Sequence, residues 1–556
     1  MRRLLYIFFV LFLTCLSVQA QPKQEIRATW ITTLGGMDWP KQKATSRDLI
    51  QRQRNEFCAL LDRLKEAHFN TVLLQTRLRG DVIYPSRYES FAESLTGHFG
   101  NNPGYDPLAF AITECHKRGM ELHAWIVTIP VGNNRQVKQQ GNESVVYRQK
   151  NLCKKHDNAW YMDPGNPETE KYLCRLINEI VSRYDVDGIH LDYIRYPENA
   201  KRFPDNDTYR KYAKRKDKEQ WRRENITSIV RSIYKEVKAL KPWVKVSSSP
   251  VGKFQDTSRY SSWGWNARHT VHQDAQSWLE EGIQDILFPM MYFKGNHFYP
   301  FVLDWKEHEA NRWIVPGLGV YFLSDRKSGW TLEEMNRQVY FVRQQRLAGQ
   351  AYFRNEFLMK NTQGIWDEMK CNFYTSPAIL PPMTWMDSIA PSAPTYPRMK
   401  QLSDGKISLA WRPSIETFKE MITYHIYGSA TYPVDINQSA NLLKTYIQGD
   451  QIVLDPKKGK RYFAITATDR YGNESEPTAF NQSNNMDIQL LNRYDLLILP
   501  ETVHGNKVEI RKACGTVISS VPFTTQITLE LIPKGFYLVY VIGHNQEDIL
   551  VGSILK

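Results

Sequence analysis

Cysteine is scarce in this chain. There are seven among 556 residues, and one of them, Cys15, lies in the apolar N-terminal stretch. None is spaced as Cys-x-x-Cys, which excludes the usual zinc frameworks and a thioredoxin-type redox pair. Cys58 and Cys115 sit among apolar helical residues and read as small core residues, and Cys153 and Cys174 are the one pair open to bridging. Long apolar runs are also lacking: Leu4–Leu13 is too short for a comfortable membrane span, and nothing later approaches one. No His-Glu-x-x-His, Walker-type glycine loop or Gly-x-Ser-x-Gly occurs, so metalloprotease, NTPase and serine hydrolase chemistry have no signature here. No glycine-rich phosphate loop follows the first strand, which argues against a doubly wound nucleotide-binding sheet. No cofactor is implied.

Acidic charge is in deficit. Lys and Arg total 72 against 59 Asp and Glu, a formal net charge of +13. Such a balance suits an anionic partner. Met1–Ala20 reads as a secretory signal, with Arg2-Arg3, an apolar core and a small-residue site at Val18-Gln19-Ala20. Export to a periplasm or cell surface follows as an expectation, with lipidation at Cys15 the lesser alternative because Thr14 precedes it poorly. In that setting an anionic glycan is the expected partner and nucleic acid is not. The Lys201–Arg223 run mixes in Asp and Glu and reads as a solvated helix face.

From about Ile26 to Leu380, short apolar runs alternate with amphipathic helical stretches. Strands are expected at Arg27–Thr33, Thr71–Thr76, Glu121–Thr128, Gly188–Asp192, Lys245–Ser249, Ile286–Tyr292, Ile314–Tyr321 and Gln350–Phe353. Eight β-then-α units over this length predict an α/β fold, a (β/α)8 TIM barrel spanning residues 21–385. Prolines at 381–382 and within 390–397 mark a linker. Alternating strands then predict two C-terminal all-β modules at 386–482 and 487–556. Lys406–Trp411, Thr423–Tyr427 and Asp469–Ser475 resemble a fibronectin type III module. Lys534–Val539 is similar to the C-terminal sorting domains of type IX secretion, and a generic β-module is the alternative.

Barrel enzymes place chemistry where strands end. The run Asp187-Gly188-Ile189-His190-Leu191-Asp192-Tyr193-Ile194-Arg195 starts as a buried strand and ends in charge and aromatics. Other strand ends contribute Asp38 and Trp39, Arg77 and Arg79, His123 and Trp125, Tyr292, Tyr321 and Glu356, and Asp163 follows strand three. Taken singly, most of these residue types are more often structural. Together, acids, arginines and aromatics at many strand ends suit a carbohydrate cleft. Aromatics stack on sugar rings, while arginines and acids bond hydroxyls and carboxylates.

The order of motifs adds to this reading. Arg27–Ile31, Asp38-Trp39-Pro40, Gln75-x-Arg77-x-x-Gly80-Asp81, Tyr84-Pro85-Ser86, Leu95-Thr96-Gly97 and Pro103–Leu108 occur in sequence. Glu121–Trp125, Asp163–Pro167 and Asp187–Tyr193 follow. Together they resemble glycosyl hydrolase-like family 10, the DUF187 group. The resemblance implies a TIM barrel, glycoside hydrolysis and, by analogy with a family member, peptidoglycan glycan strands freed of stem peptides. The strand-four run is also similar to that of family 18 chitinases, but Ile194 stands where their catalytic Glu would be. On this reading Asp192 and Glu356 are the paired catalytic carboxyls, with Glu121 behind Glu356. Asp38, Trp39, Arg77, Arg79, His123, Trp125, Asp163, His190, Arg195, Tyr292 and Tyr321 bind substrate. A non-catalytic glycan-binding protein on a degenerate barrel, or a hydrolase of another polysaccharide, are the alternative readings.

Overall fold

The computed structural model describes residues 21–414, 421–455, 459–480, 489–491, 495–499, 503–543 and 548–556. The expected signal segment lies outside them. They form two compact units. The first holds Gln24–Thr375 and Ile379–Pro381, and the second holds the described residues from 382 onward with Ser376–Ala378 and residues 21–23.

The first unit is built on parallel strands β1 (Ile26–Ile31), β2 (Thr71–Arg77), β3 (Glu121–Val127), β4 (Gly188–Asp192), β5 (Lys245–Ser248), β6 (Ile286–Leu287), β7 and β8 (Gly349–Tyr352). They pair in sequence order. Strand β7 is split into Trp313–Ile314, which pairs with β6, and Gly317–Leu318, which pairs with β8. Val315 and Pro316 separate the halves, and Pro316 has no N–H to give a ladder. Since β8 also pairs with β1, the sheet closes on itself as a TIM-type barrel. At that closure Gly349 lies so near β1 that a Cβ would stand 2.0 Å from the Ile26 carbonyl. The prolines at 289 and 316 explain why β6 and β7 are shorter than the apolar runs predict.

Helices follow the strands: α1 (Arg47–Glu66), α2 (Pro107–His116), α3 (Pro167–Arg183), α4 (Lys218–Leu240), α5 (Ala275–Glu280), α6 (Tyr299–Glu307) and α7 (Leu332–Gln344). Their starts are written locally. Ser46, Asp106 and Asn166 accept first-turn amides of α1, α2 and α3, and prolines open α2 and α3. Their apolar faces, such as Phe57, Leu61 and Leu64 of α1, bury against the outward strand residues Ile189, Leu191, Val246 and Leu287 in one continuous core. A three-stranded antiparallel sheet (Pro130–Asn133, Cys153–His156, Ala159–Met162) is inserted between β3 and α3, unforeseen in the strand pattern. No helix among the described residues is long and apolar enough to cross a membrane. The Cys153–Cys174 bridge does not form; all six cysteines described are free thiols.

The second unit is all-β. A three-stranded and a four-stranded sheet between Thr395 and Phe480 enclose Trp411, Tyr424, Ile426, Phe463 and Ile465. A further pair of sheets between Gln489 and Leu555 encloses Leu497, Val508, Val539 and Val541.

Candidate functional site

The barrel interior is layered, and the layers differ in chemistry. At the strand starts lies an ionic cluster. Glu121 pairs with Lys245 at 2.7 Å and with His123 Nε2 at 3.0 Å. The His123 ring needs Gly188 beside it, since a Cβ there would meet the ring at 2.6 Å. His123 and Glu121 are therefore at the end of the barrel opposite the expected cleft, and His123 is not a substrate ligand.

The middle layer is neutral. Trp30 Nε1 donates to His190 Nε2 at 3.1 Å, and His190 Nδ1 meets Ser247 Oγ at 3.0 Å. An indole N–H only donates, so Nε2 accepts and the proton resides on Nδ1. Burial pushes the His190 pKa well down, which keeps the ring uncharged. Phe288 packs edge-on against both Trp30 and His190. His190 thus lies in the packed layer below the cleft.

One step further along β4, Asp192 reaches the carboxyl end of the strand. Its Oδ2 accepts Trp125 Nε1 at 3.0 Å; its Oδ1 accepts Ser249 Oγ and the Tyr193 amide, each at 2.8 Å. All three partners donate, so both oxygens act as acceptors and the carboxylate is fixed in orientation. Aromatic rings wall the space beside it. Tyr292 lies 5.4 Å from Phe353 and 5.7 Å from Tyr321, and Phe353 meets Trp125 edge-on at 6.5 Å. Burial raises the phenol pKa of Tyr292, and the charge of Asp192 adds to that rise. At the rim, the Arg195 guanidinium stacks on Tyr193, and Arg79 stands 5.5 Å from the same ring. Ile194 is fully buried in the core, which removes that position from catalysis.

Several expected site residues serve the scaffold instead. Trp39 is buried on Phe57, its Nε1 bonded to the Gln53 carbonyl, so it is no platform. Arg77 is fully buried and forks onto Glu89, twelve residues later, while its Nη1 donates to the Val127 and Thr128 carbonyls. Asp38 accepts the Thr32 amide, the Glu356 amide and Arg354 Nη1, which ties the end of β1 to the chain after β8. Asp163 Oδ1 accepts the Gly165 amide at the entry to α3, and its Oδ2 accepts Thr208 Oγ1 from the short helix Asn206–Tyr212. Glu356 is clamped by Arg354 and Lys360, and these two cations hold its pKa below the usual value despite partial burial. Glu356 thus stands here as the ion-pair partner of Arg354 and Lys360. Phe353 and Trp265 escaped the strand-end reading; Gln75, at the end of β2, accepts from Thr32 Oγ1 and the amides of Thr33 and Leu34. Phe353 was readable as an aromatic ending β8; Trp265 lies in a Ser-Ser-Trp-Gly-Trp loop that no strand period reaches.

Burial pushes the Asp81 carboxyl up to about 6, with one opposing bond from the Arg79 amide. A raised carboxyl holds a proton in the folded state that the unfolded chain releases. Its contribution is full below the ordinary value and is lost as pH rises through about 6. The stability difference between Asp81→Asn and the parent should therefore grow in favour of Asn by roughly 1–3 kcal/mol from pH 4 to pH 7. Thermal melts of the two proteins across that window measure it, and a constant difference would refute the buried-acid account.

An acceptor carboxylate at the tip of a barrel strand, beside a wall of aromatic rings, is the architecture of a barrel that works on sugars. The model of the family described as Glycosyl hydrolase-like 10 matches residues 25–317. The chain is 31% identical over 479 residues to glycosyl hydrolase YngK of Bacillus subtilis (strain 168), covering 82% of this chain and 93% of that protein. It is 32% identical over 294 residues to glycosyl hydrolase DigH of Escherichia coli (strain K12), covering 49% of this chain and 66% of that protein. Among solved structures, the PgaB (BpsB) glycoside hydrolase domain of Bordetella bronchiseptica aligns over 63% of this chain and 99% of that domain. Its identity is 13% and its TM-score 0.44. The protein is a glycoside hydrolase, and it belongs to glycosyl hydrolase-like family 10.

Proposed function

We propose that this hydrolase cleaves the glycan strands of peptidoglycan after the stem peptides have been removed, at the envelope of a Gram-negative cell to which it is exported. The observation that carries the reading is Asp192, held as an acceptor by three donors within an aromatic-walled cleft. Such a carboxylate is placed to act as nucleophile or electrostatic stabiliser of an oxocarbenium-like transition state. Tyr292, Tyr321 and Trp125 supply the ring faces, and Arg79 and Arg195 the cations at the rim. Trp263, 96% exposed on the loop that also carries Trp265, offers a further apolar face for a long strand. The net charge of +13 favours strands whose lactyl groups are free carboxylates.

The test is digestion of intact sacculi and of sacculi stripped by an amidase, with the released reducing-end sugars identified by mass spectrometry. Stripped strands should yield oligosaccharides at a rate at least about tenfold above intact sacculi, as expected where a crowded substituent blocks the cleft. Release from neither, with turnover of a neutral β-glucan instead, would overturn the substrate.

A further inference from the structure

Four arginines in the described residues are buried, and three have a carboxylate of their own. Arg27 pairs with Glu25, Arg77 with Glu89 and Arg222 with Asp205. The fourth, Arg195, is 5% exposed and has none. Its Nη1 is shut off from solvent without a hydrogen-bond partner, and no ion pair to its guanidinium forms among the described residues. The neighbouring Asp192 is not its partner: it receives Trp125, Ser249 and the Tyr193 amide, and no hydrogen bond or ion pair joins it to Arg195 among the described residues.

The guanidinium is held between two rings, 4.5 Å from the centre of Tyr193 and 5.4 Å from that of Trp265. Both rings are partly open to solvent, at 36% and 38% exposure. Tyr193 adopts φ 51°, a strained value for an aromatic residue, and its carbonyl accepts the Arg195 amide at 2.8 Å. That tight turn is what swings the Tyr193 ring over Arg195, immediately after the strand that ends in Asp192. Stacking fixes the plane of the fork but satisfies none of its N–H groups. A desolvated cation left without an anion is costly, and the cost is offset when a ligand brings the anion.

We infer that Arg195, clasped by Tyr193 and Trp265, is a specificity subsite that binds a carboxylate carried on a sugar ring next to the one cleaved at Asp192. The inference rests on the glycan reading above and narrows it to anionic glycans. A planar, pre-oriented guanidinium matches a carboxylate with two parallel hydrogen bonds, which a neutral hydroxymethyl group cannot reproduce. The carboxylate has two chemical sources, a 3-O-lactyl ether or a uronic acid.

Binding in the Asp192→Asn background separates recognition from turnover. The probes are oligosaccharides from stripped peptidoglycan, the same oligosaccharides after carbodiimide–borohydride reduction of their carboxyls, and an oligouronate. Titration calorimetry should show the carboxylate form bound about 10- to 100-fold more tightly than its reduced form. Adding Arg195→Gln should collapse that ratio to near one. Arg195→Lys, which keeps charge without the fork, should leave it between the two. Trp265→Ala, on the partly exposed loop, is the second variant should Arg195→Gln fold poorly, and it too should lower the ratio. Preference for the oligouronate as well supports a general carboxylate subsite, and its absence supports a lactyl-specific one. An equal affinity for carboxylate and reduced forms, or a ratio unchanged by Arg195→Gln, overturns the subsite. If the parent enzyme hydrolyses no strand while the Arg195-dependent preference persists, the substrate proposal fails and the subsite stands.

Discussion

Asp192→Asn should leave the barrel folded and lower kcat on glycan strands by about 10³- to 10⁴-fold, the loss expected when a positioned catalytic carboxylate is removed. The structural effect should be modest. Asparagine keeps one acceptor oxygen, enough for Ser249 Oγ and the Tyr193 amide, but its NH2 then faces Trp125 Nε1, donor against donor. One such mismatch costs about 1–3 kcal/mol, small beside a core that encloses the whole barrel unit. Steady-state kinetics on stripped strands, with circular dichroism and a thermal melt of the same sample, measure both quantities. A variant that keeps a tenth or more of parental kcat would remove Asp192 from the chemistry, whatever its melting behaviour.

The largest expected loss of stability comes from a residue that reads, in sequence, as a substrate ligand. Arg77→Ala should destabilise the barrel unit by about 3–5 kcal/mol, because it strands Glu89 as a buried, unpaired charge. The Glu89 carboxyl touches Arg77 Nε and Nη2 at 2.7–3.0 Å and also accepts the Tyr172 hydroxyl at 3.1 Å. The Val127 and Thr128 carbonyls, at the end of β3, would lose their donor as well. Replacing both partners, Arg77→Met with Glu89→Leu, should recover most of the loss, since two apolar side chains strand no charge. Urea denaturation followed by tryptophan fluorescence compares the three proteins. If Arg77→Ala melts like the parent but fails to bind glycan, Arg77 belongs to the cleft after all.

The contrast between strand β4 and the partners of Arg77 shows where sequence reading succeeds. Strand β4 was legible because Ile189 and Leu191 alternate with Gly188, His190 and Asp192. That period fixes which side chains enter the barrel and places Asp192 last. The eight-unit order was legible for the same reason. Depth was not. His123, His190 and Asp192 all point inward, yet they occupy a charged floor, a neutral middle and the cleft, and only register against β3 and β5 separates them. Partnership was not legible either. Nothing local says that Arg77 is claimed by Glu89, that Glu356 is clamped by Arg354 and Lys360, or that Trp39 turns onto Phe57. Those pairings are made by turns and neighbouring elements that periodicity does not describe. Arg195 is the converse case, a cation whose want of a carboxylate partner among the described residues emerges only once the chain is folded.

The neutral layer beneath Asp192 has a consequence for how protons travel. Trp30, His190 and Ser247 donate in turn along one chain, which ends on the Ile189 carbonyl as acceptor. The indole cannot accept, and the imidazole is held uncharged. The layer therefore interposes uncharged groups between the ionic floor of Glu121, His123 and Lys245 and the Asp192 carboxylate. Such a layer offers no charged stepping stone below Asp192, so proton exchange during hydrolysis should run through the mouth of the barrel, the same opening that admits the sugar.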